Sequence, residues 1–140
     1  MLSKTALHAL RAMTVLAELP EKSFAGAVDI AKAIHAPRNY LGKLLQSLAE
    51  AGLVESQKGK GGGFRLARQP AAITVFDVVE PIDHVGRWRG CFMGRSECSC
   101  ENSCVVHSRW QAVRDAYLAF LQDTTLADLA QQPASQLLLT

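Results

Sequence analysis

The chain has 140 residues, of which 49% are hydrophobic, and a formal net charge of +2. This length and composition fit one domain with a real core, with or without an appended element. We find no secretory signal and no apolar run near the roughly 20 residues of a membrane span, so we expect a cytoplasmic protein with no membrane partner.

The charge is divided unevenly along the chain. Residues 1–70 carry ten Lys and Arg against five Asp and Glu, whereas residues 71–140 carry five against eight. A basic half beside an acidic half indicates that the N-terminal half meets a polyanion such as nucleic acid.

Three helices are predicted in the N-terminal part of the chain. The first covers residues 3–19 with Ser3 as its N-cap, and the second lies near 27–35. The third begins at Pro37, which suits a first helical turn, and ends at Gly52 in the manner of a C-terminal cap. The last two helices, joined by a tight turn, indicate a helix-turn-helix motif.

The third helix is predicted to be the DNA-reading helix of this motif. Its leucines recur at i, i+3, i+4 and i+7, so they form an inward face and leave the polar residues outside. The N-terminal end of such a helix contacts base edges in the major groove. The predicted DNA-binding residues of this helix are Arg38, Asn39, Tyr40 and Lys43.

A basic hairpin is predicted to follow the helix-turn-helix. Two short strand-like runs, 53–54 and 64–66, flank the sequence "KGKGGG". Glycines between two strands indicate a flexible hairpin tip, and this tip carries Lys58 and Lys60. Such a hairpin is typical of the wing of a winged helix, and its lysines can reach phosphates or a minor groove.

The second half of the chain is predicted to contain three more helices. Thr74 caps a short one over 75–80, which Pro81 ends. A long helix with the sequence "VVHSRWQAVRDAYLAFLQ" follows the cysteines, and "TTLADLA" starts a last short helix before a loose tail.

The long helix carries an apolar seam with the 4-3-4-3 spacing of two heptads. Because this helix lies beyond a complete small winged-helix core, we expect the seam to pair with the same helix of a second chain. A two-fold dimer would present two DNA-reading helices to a pseudo-palindromic site. The seam residues are Val106, Trp110, Val113, Tyr117 and Phe120.

All four cysteines of the chain lie in the stretch "CFMGRSECSCENSCVVH", residues 91–107. In a cytoplasmic protein thiols stay reduced, so clustered cysteines indicate metal binding or redox chemistry more than disulfides. The stretch is polar and holds little that could form a core, so a bound ion would help to order it.

The spacing C-x6-C-x-C-x3-C-x2-H leaves three interpretations open. Structural zinc would use Cys98, Cys100, Cys104 and His107, although one residue between the first two ligands is tight. An iron–sulfur cluster would use Cys91, Cys98 and Cys104 with a fourth ligand. The third interpretation is a thiol switch that holds no metal.

The chain resembles the bacterial winged-helix iron–sulfur transcription regulators of the IscR/NsrR family. The resemblance covers nearly the whole chain and is carried by "ALHALRAM", "GLVESQKGKGGGFRLAR", "ITVFDVVEPID", the cysteine stretch and "TTLADLA". It implies a homodimer that binds double-stranded promoter DNA. The acidic residue that tunes DNA choice in such regulators corresponds here to Gly42.

The resemblance also implies an iron–sulfur cluster, with [2Fe–2S] favoured over [4Fe–4S]. Cys100 is then an extra cysteine, and His8 of the partner subunit is the alternative fourth ligand. In the nitric-oxide sensors an acidic side chain from the partner's first helix can complete the site, but Leu7 stands at that position here. The implied ligands are Cys91, Cys98, Cys104 and His107.

We therefore predict a mostly α-helical protein with a small β-hairpin: a winged helix-turn-helix domain plus a long dimerisation helix. The predicted function is a DNA-binding transcriptional regulator, a repressor and not an enzyme, switched by a cluster that senses redox, nitric oxide or iron–sulfur status. A metal-free thiol switch, a zinc-stabilised interaction module and a small iron–sulfur redox protein remain alternatives. The predicted segments are 1–82 (winged helix), 83–104 (cysteine loop), 105–123 (dimerisation helix) and 124–140 (C-terminal helix and tail).

Overall fold

The structure is a computed structural model, and it describes residues 2–86, 91–94, 104–133 and 136. It confirms the mostly helical fold with a small hairpin. In these residues the helices and strands are α1 (Lys4–Ala17), α2 (Ala27–Ile34), α3 (Arg38–Glu50), β1 (Val54–Gln57), β2 (Gly63–Leu66), α4 (Val75–Asp83), α5 (His107–Asp123) and α6 (Leu126–Leu129).

The starts of α1 and α4 are fixed by the side chains that precede them. The Ser3 hydroxyl accepts a hydrogen bond from the Ala6 backbone N–H at 3.0 Å. Thr74 and Asp77 form a reciprocal capping box, in which each side chain accepts from the other residue's backbone N–H. Both caps satisfy donors that the helix itself leaves unpaired, and both confirm the predicted starts.

The core of the winged helix lies between α1, α2 and α3. Their apolar faces meet because each helix repeats apolar residues every three or four positions. The largest side chains of this core with almost no solvent exposure are Met13, Ile30, Leu41, Leu45, Leu48 and Leu53.

The hairpin is attached to the helices through a third short segment. β1 and β2 pair antiparallel with Ser56 opposite Phe64. Phe64 also exchanges two backbone hydrogen bonds with Ala25, of 2.9 and 2.7 Å, in the connection between α1 and α2. The wing is therefore held at a fixed place beside the helix-turn-helix.

The prediction that Pro81 ends α4 was wrong. The helix continues to Asp83, with Pro81 inside it. Proline removes one backbone donor, but only two helical residues follow Pro81, so few helical hydrogen bonds are lost. Asp83 in addition accepts hydrogen bonds from the backbone N–H and the hydroxyl of Ser3, which tie the end of α4 to the start of α1.

The last short helix returns to the winged-helix core. Leu126 is fully buried in the same cluster as the leucines of α3. Its N–H donates to the Ile73 carbonyl at 2.9 Å, and the Val75 N–H donates to the Thr124 carbonyl at 2.8 Å. The C-terminal helix thus completes the core, whereas the predicted tail lies almost wholly outside the described residues. In the described ranges, none of the helices has the length and apolar character needed to cross a membrane.

Candidate nucleic-acid interface and cysteine segment

The N-terminal end of α3 presents three polar side chains to solvent. Arg38, Asn39 and Lys43 are exposed, while the leucines on the opposite side of the helix are buried. α3 follows α2 after a short turn, so the two helices form the predicted helix-turn-helix. The geometry leaves this end of α3 free to enter a groove of DNA.

Tyr40 differs from its predicted neighbours because it faces the first helix. It is half-buried, and its ring meets the His8 ring edge-on, with ring centroids 5.5 Å apart. The Tyr40 hydroxyl lies 3.4 Å from His8 Nδ1. In this structure Tyr40 therefore holds the N-terminal end of α3 against α1.

His8 occupies an environment that disfavours its charged form. Its side chain is 8% exposed. Burial lowers the pKa of His8, and the nearby charges of Arg11 and Lys4 lower it further. The imidazole that contacts Tyr40 is therefore neutral near pH 7, when one ring nitrogen donates a hydrogen bond and the other accepts one.

The wing tip carries Lys58 and Lys60, both exposed as predicted. The tip needs a glycine because a Cβ on Gly62 would lie 2.2 Å from the Gln57 carbonyl oxygen. Gly59 and Gly61 have positive φ angles, of 94° and 78°, which side chains with a Cβ rarely adopt. The glycine run thus shapes the turn that displays the two lysines.

The base of the wing is fixed by charged residues that the sequence analysis did not single out. Arg65 donates to Glu55 at 3.0 Å, and its guanidinium lies 4.7 Å from the centre of the Phe24 ring. Glu55 and Arg65 are directly opposite in the hairpin register. That register could have revealed the pair once the hairpin was predicted, because opposed residues of unlike charge attract.

The cysteine segment begins directly after α4. The Gly86 N–H donates to Glu80 Oε2 at 2.8 Å, which fixes the chain at the point where this segment starts. Cys91 and Cys104 are both half-buried. Cys98 and Cys100 lie outside the described residues, so their predicted roles stay predictions.

His107 is the first residue of α5 and is 7% exposed. Its backbone N–H donates to the Cys104 carbonyl at 3.0 Å, so these two candidate ligands lie one turn apart, as their spacing predicts. Over the described ranges, no three His, Cys, Asp or Glu side chains come together as a metal site. Cysteine sulfur and a buried imidazole nevertheless have the donor chemistry that suits iron or zinc.

The predicted apolar seam of α5 is divided between two surroundings. Tyr117 packs with Leu121 into a cluster with α1 and α4 of its own chain. Trp110 contacts the Phe92 ring, with centroids 5.4 Å apart. Val113 and Phe120 are 62% and 58% exposed, although both are apolar. Only part of the seam is therefore free to meet a second chain.

Residues 2–132 match the Rrf2 family, described as "Iron-dependent Transcriptional regulator". The HTH-type transcriptional regulator IscR of Vibrio atlanticus is 33% identical over 87% of this chain and 70% of its own length. NsrR of Geobacillus kaustophilus, also an HTH-type transcriptional regulator, is 32% identical over 91% and 88%.

The solved structure of CymR, the global cysteine regulator of B. subtilis, has the same fold. It superimposes with a TM-score of 0.78 at 28% identity and covers 94% of this chain and 96% of its own. The exposed basic end of α3 and the lysine-bearing wing are features that a DNA-binding member of this family needs. The chain belongs to the Rrf2 family, and it is a DNA-binding transcriptional regulator rather than an enzyme.

Proposed function

We propose that this protein is a homodimeric, cytoplasmic repressor whose binding to promoter DNA is switched by an iron–sulfur cluster in the cysteine segment. One arrangement carries the proposal. The polar end of α3 and the lysine-bearing wing belong to the same compact domain, and α4 of that domain is the helix that precedes the cysteine segment in the chain. A change in the cysteine segment therefore acts next to the helices that position α3.

Within the DNA interface, we assign different roles to α3 and to the wing. Asn39 and Lys43 read base edges, since their side chains project from the free end of α3. Lys58 and Lys60 contact phosphates, because they lie on an exposed loop that offers charge without a fixed direction. Arg38, at the first position of α3, contributes charge at the edge of the groove.

For the cluster, we assign Cys91, Cys98 and Cys104 as thiolate ligands and His107 as the fourth ligand. His107 is supported by its place one turn from Cys104. His8 of the partner subunit is less well supported, since the equivalent ring contacts Tyr40 in its own chain. When bound, a [2Fe–2S] cluster supplies a redox-sensitive centre with negative charge. The chain's own part is to hold it between α4 and α5, where its presence orders the polar segment.

A metal-free thiol switch is the second candidate, and one observation favours it. The segment holds four cysteines within fourteen residues, so a second thiol is available to form a disulfide. A structural relative, CymR of Staphylococcus aureus, has been solved in an oxidized form. Oxidation of two thiols in this segment would constrain it without any metal.

Anaerobic purification of the full chain separates these candidates. Iron, acid-labile sulfide and zinc are counted, and the visible absorption spectrum is recorded. The proposal expects equal amounts of iron and sulfide and a coloured protein. Stoichiometric zinc in a colourless protein would favour the structural-zinc interpretation, and a metal-free protein whose DNA binding changes on oxidation would favour the thiol switch.

Cysteine variants then test the ligand set. Cys91→Ala, Cys98→Ala and Cys104→Ala each lose the colour and the iron, whereas Cys100→Ala keeps both. Cys100→Ala is the matched control, because it removes one thiol from the same segment. Loss of iron in Cys100→Ala would contradict the ligand assignment.

DNA binding is measured with sequences that the protein selects from a random pool and with random DNA. Lys58→Ala and Lys60→Ala weaken binding to selected and random DNA alike, and each lowers the salt slope by about one unit. Asn39→Ala and Lys43→Ala change the preferred sequence instead. Equal effects of all four variants on selected and random DNA would contradict base reading by α3. A protein that keeps its cluster but binds no DNA would indicate a small redox protein.

A further inference from the structure

The turn between α2 and α3 contains a histidine where the backbone favours glycine. His35 ends α2 with φ 56° and ψ 44°, in the left-handed region. Glycine is the usual residue at such a helix end, because a side chain adds strain there. The turn is closed by the His35 backbone N–H, which donates to carbonyls of α2, and the imidazole itself is exposed. The imidazole is therefore not needed to form the turn.

The His35 side chain lines a shallow depression on the outside of the helix-turn-helix. The depression has a volume of about 380 Å³. Three of its lining residues are apolar, and one of these, Val28, is exposed. Three of the lining side chains carry nitrogen donors. The lining residues are Val28, Ala31, Lys32, His35, Ala36 and Arg38.

Lys32 and Arg38 give this depression positive charge, and no carboxylate forms an ion pair with either in the described part of the chain. None of its described lining residues is acidic. Asp29 lies one turn before Lys32 on α2, yet no ion pair joins them in the described part of the chain, where the ion pairs are those of Arg65 and Arg114. A basic, solvent-facing patch of this kind attracts a polyanion.

Arg38 joins the depression to the DNA interface, because it is also the first residue of α3. We propose that Lys32 and His35 extend the DNA-binding surface beyond α3 and contact backbone phosphates next to the groove that α3 enters. This inference rests on the proposed DNA-reading role of α3. Continuity with the N-terminal end of α3 through Arg38 favours the DNA backbone over an acidic protein segment as the occupant.

The contact has a clear physical role. Phosphate contacts fix the register of a protein on the duplex without reading sequence. The wing lysines follow α3 in the chain, and the turn precedes it. Phosphate contacts from both would hold the domain on the duplex at two separate points, which reduces the freedom of α3 to slide or tilt in the groove.

The sharpest test is His35→Gly, because glycine keeps the turn and removes only the side chain. We expect unchanged or raised thermal stability and DNA affinity lowered about three- to tenfold, the range of one lost hydrogen bond. His84→Gly is the matched control. His84 also ends its helix, α4, in the left-handed conformation, with φ 51° and ψ 49°, and its exposed side chain is outside this depression.

A second pair of variants tests the charge. Lys32→Gln should lower affinity for selected and random DNA equally and reduce the salt slope by about one unit. Lys22→Gln, at an exposed lysine between α1 and α2, should leave both unchanged. All variants are compared as full chains prepared anaerobically with matched iron content.

The outcomes separate this inference from the proposed function. If His35→Gly and Lys32→Gln bind DNA like the unchanged chain, the inference is overturned, whatever α3 does. If Asn39→Ala and Lys43→Ala also leave DNA binding unchanged, the proposed role of α3 fails as well. If His35→Gly lowers thermal stability, its affinity no longer decides, and the Lys32→Gln salt slope supports or overturns the inference alone.

Discussion

Gly42 lies between Asn39 and Lys43 on the face of α3 that is proposed to read DNA. A Cβ added there would meet no atom within 4 Å, so the position has open space. It lies in the helix interior between Asn39 and Lys43, where glycine costs about 0.5–1 kcal/mol of stability relative to alanine. A glycine kept at this cost allows the helix backbone to approach another surface closely.

Gly42→Glu should raise the melting temperature and weaken binding to selected promoter DNA by about tenfold or more. The stability rises because glutamate favours the helix, and the affinity falls because a carboxylate faces phosphates and base acceptors. Gly42→Gln is the control, since it has nearly the same volume and no charge. Thermal melts and DNA titrations measure the two effects. Equal affinities of the two variants would mean that residue 42 does not face DNA.

His8 makes stability depend on pH. Burial lowers the pKa of His8, so the folded chain binds fewer protons at this ring than the unfolded chain, where the pKa is about 6.5. The stabilisation is complete above that pH and is lost as the pH falls through the lower pKa of the folded state. The charges acting on the ring are Arg11 and Lys4, and Tyr40 is its aromatic neighbour.

His8→Phe should therefore unfold with a smaller difference in urea midpoint between pH 7 and pH 5 than the unchanged chain. Phenylalanine retains the edge-on contact with Tyr40 but cannot be protonated. The measurement uses cluster-free protein, and the exposed His84→Gln serves as the control. A pH dependence identical to that of the unchanged chain would show that another group titrates in this window.

At the scale of elements, the sequence patterns correctly predicted the helix start and the hairpin that depend on interactions between residues close in the chain. The start of α1 follows from the Ser3 cap, and the hairpin follows from the glycine run between two apolar stretches. The prediction that Pro81 ends α4 failed because α4 is held by packing on α1 and by the hydrogen bonds from Ser3 to Asp83. These bonds join residues far apart in sequence, which no local pattern contains.

The candidate site was predictable to a different degree in its two parts. The exposed Asn39 and Lys43 follow from helical periodicity alone. The inward turn of Tyr40 does not, because it depends on His8 of another helix. For the cysteines, the spacing limits which residues could bind the same metal ion. The choice between iron, zinc and no metal depends on the folding of the whole segment.

The wing gives a prediction that belongs to the hairpin as a unit. Gly62→Ala should destabilise the fold by about 1–3 kcal/mol, because its Cβ would overlap the Gln57 carbonyl and the turn must open. Gly59→Ala is the comparison: its φ of 94° is strained, but open space surrounds it. Urea unfolding measures both variants. A larger loss of stability in Gly59→Ala would show that backbone strain, and not crowding, controls the tip.

At the scale of the whole molecule, one series of contacts links the cysteine segment to α3. Glu80 holds Gly86 at the start of that segment. Asp83, on the same helix, bonds to Ser3 at the start of α1. His8 of α1 then contacts Tyr40 of α3. These contacts give the proposed switch a physical route from the cysteine segment, through α4 and α1, to the N-terminal end of α3.

The proposed dimer depends on the part of α5 that its own chain leaves exposed. Val113 and Phe120 are seven residues apart on one helix, so they lie on the same face, and both are exposed apolar side chains. Trp110 and Tyr117 are less suitable for a test, because they contact Phe92 and the core of their own chain. Charge at either would disturb the fold itself.

Val113→Glu combined with Phe120→Glu should give a folded monomer, since burying two carboxylates at a two-fold interface places four like charges together. Light scattering measures the mass, and circular dichroism confirms that the helices remain. Ala119→Glu with Gln122→Glu is the control, with the same added charge on another exposed side of α5. It should remain dimeric. DNA affinity should fall only in the monomeric variant, because one recognition helix then binds without its partner. A Val113→Glu, Phe120→Glu protein that keeps the dimer mass would place the interface elsewhere on the molecule.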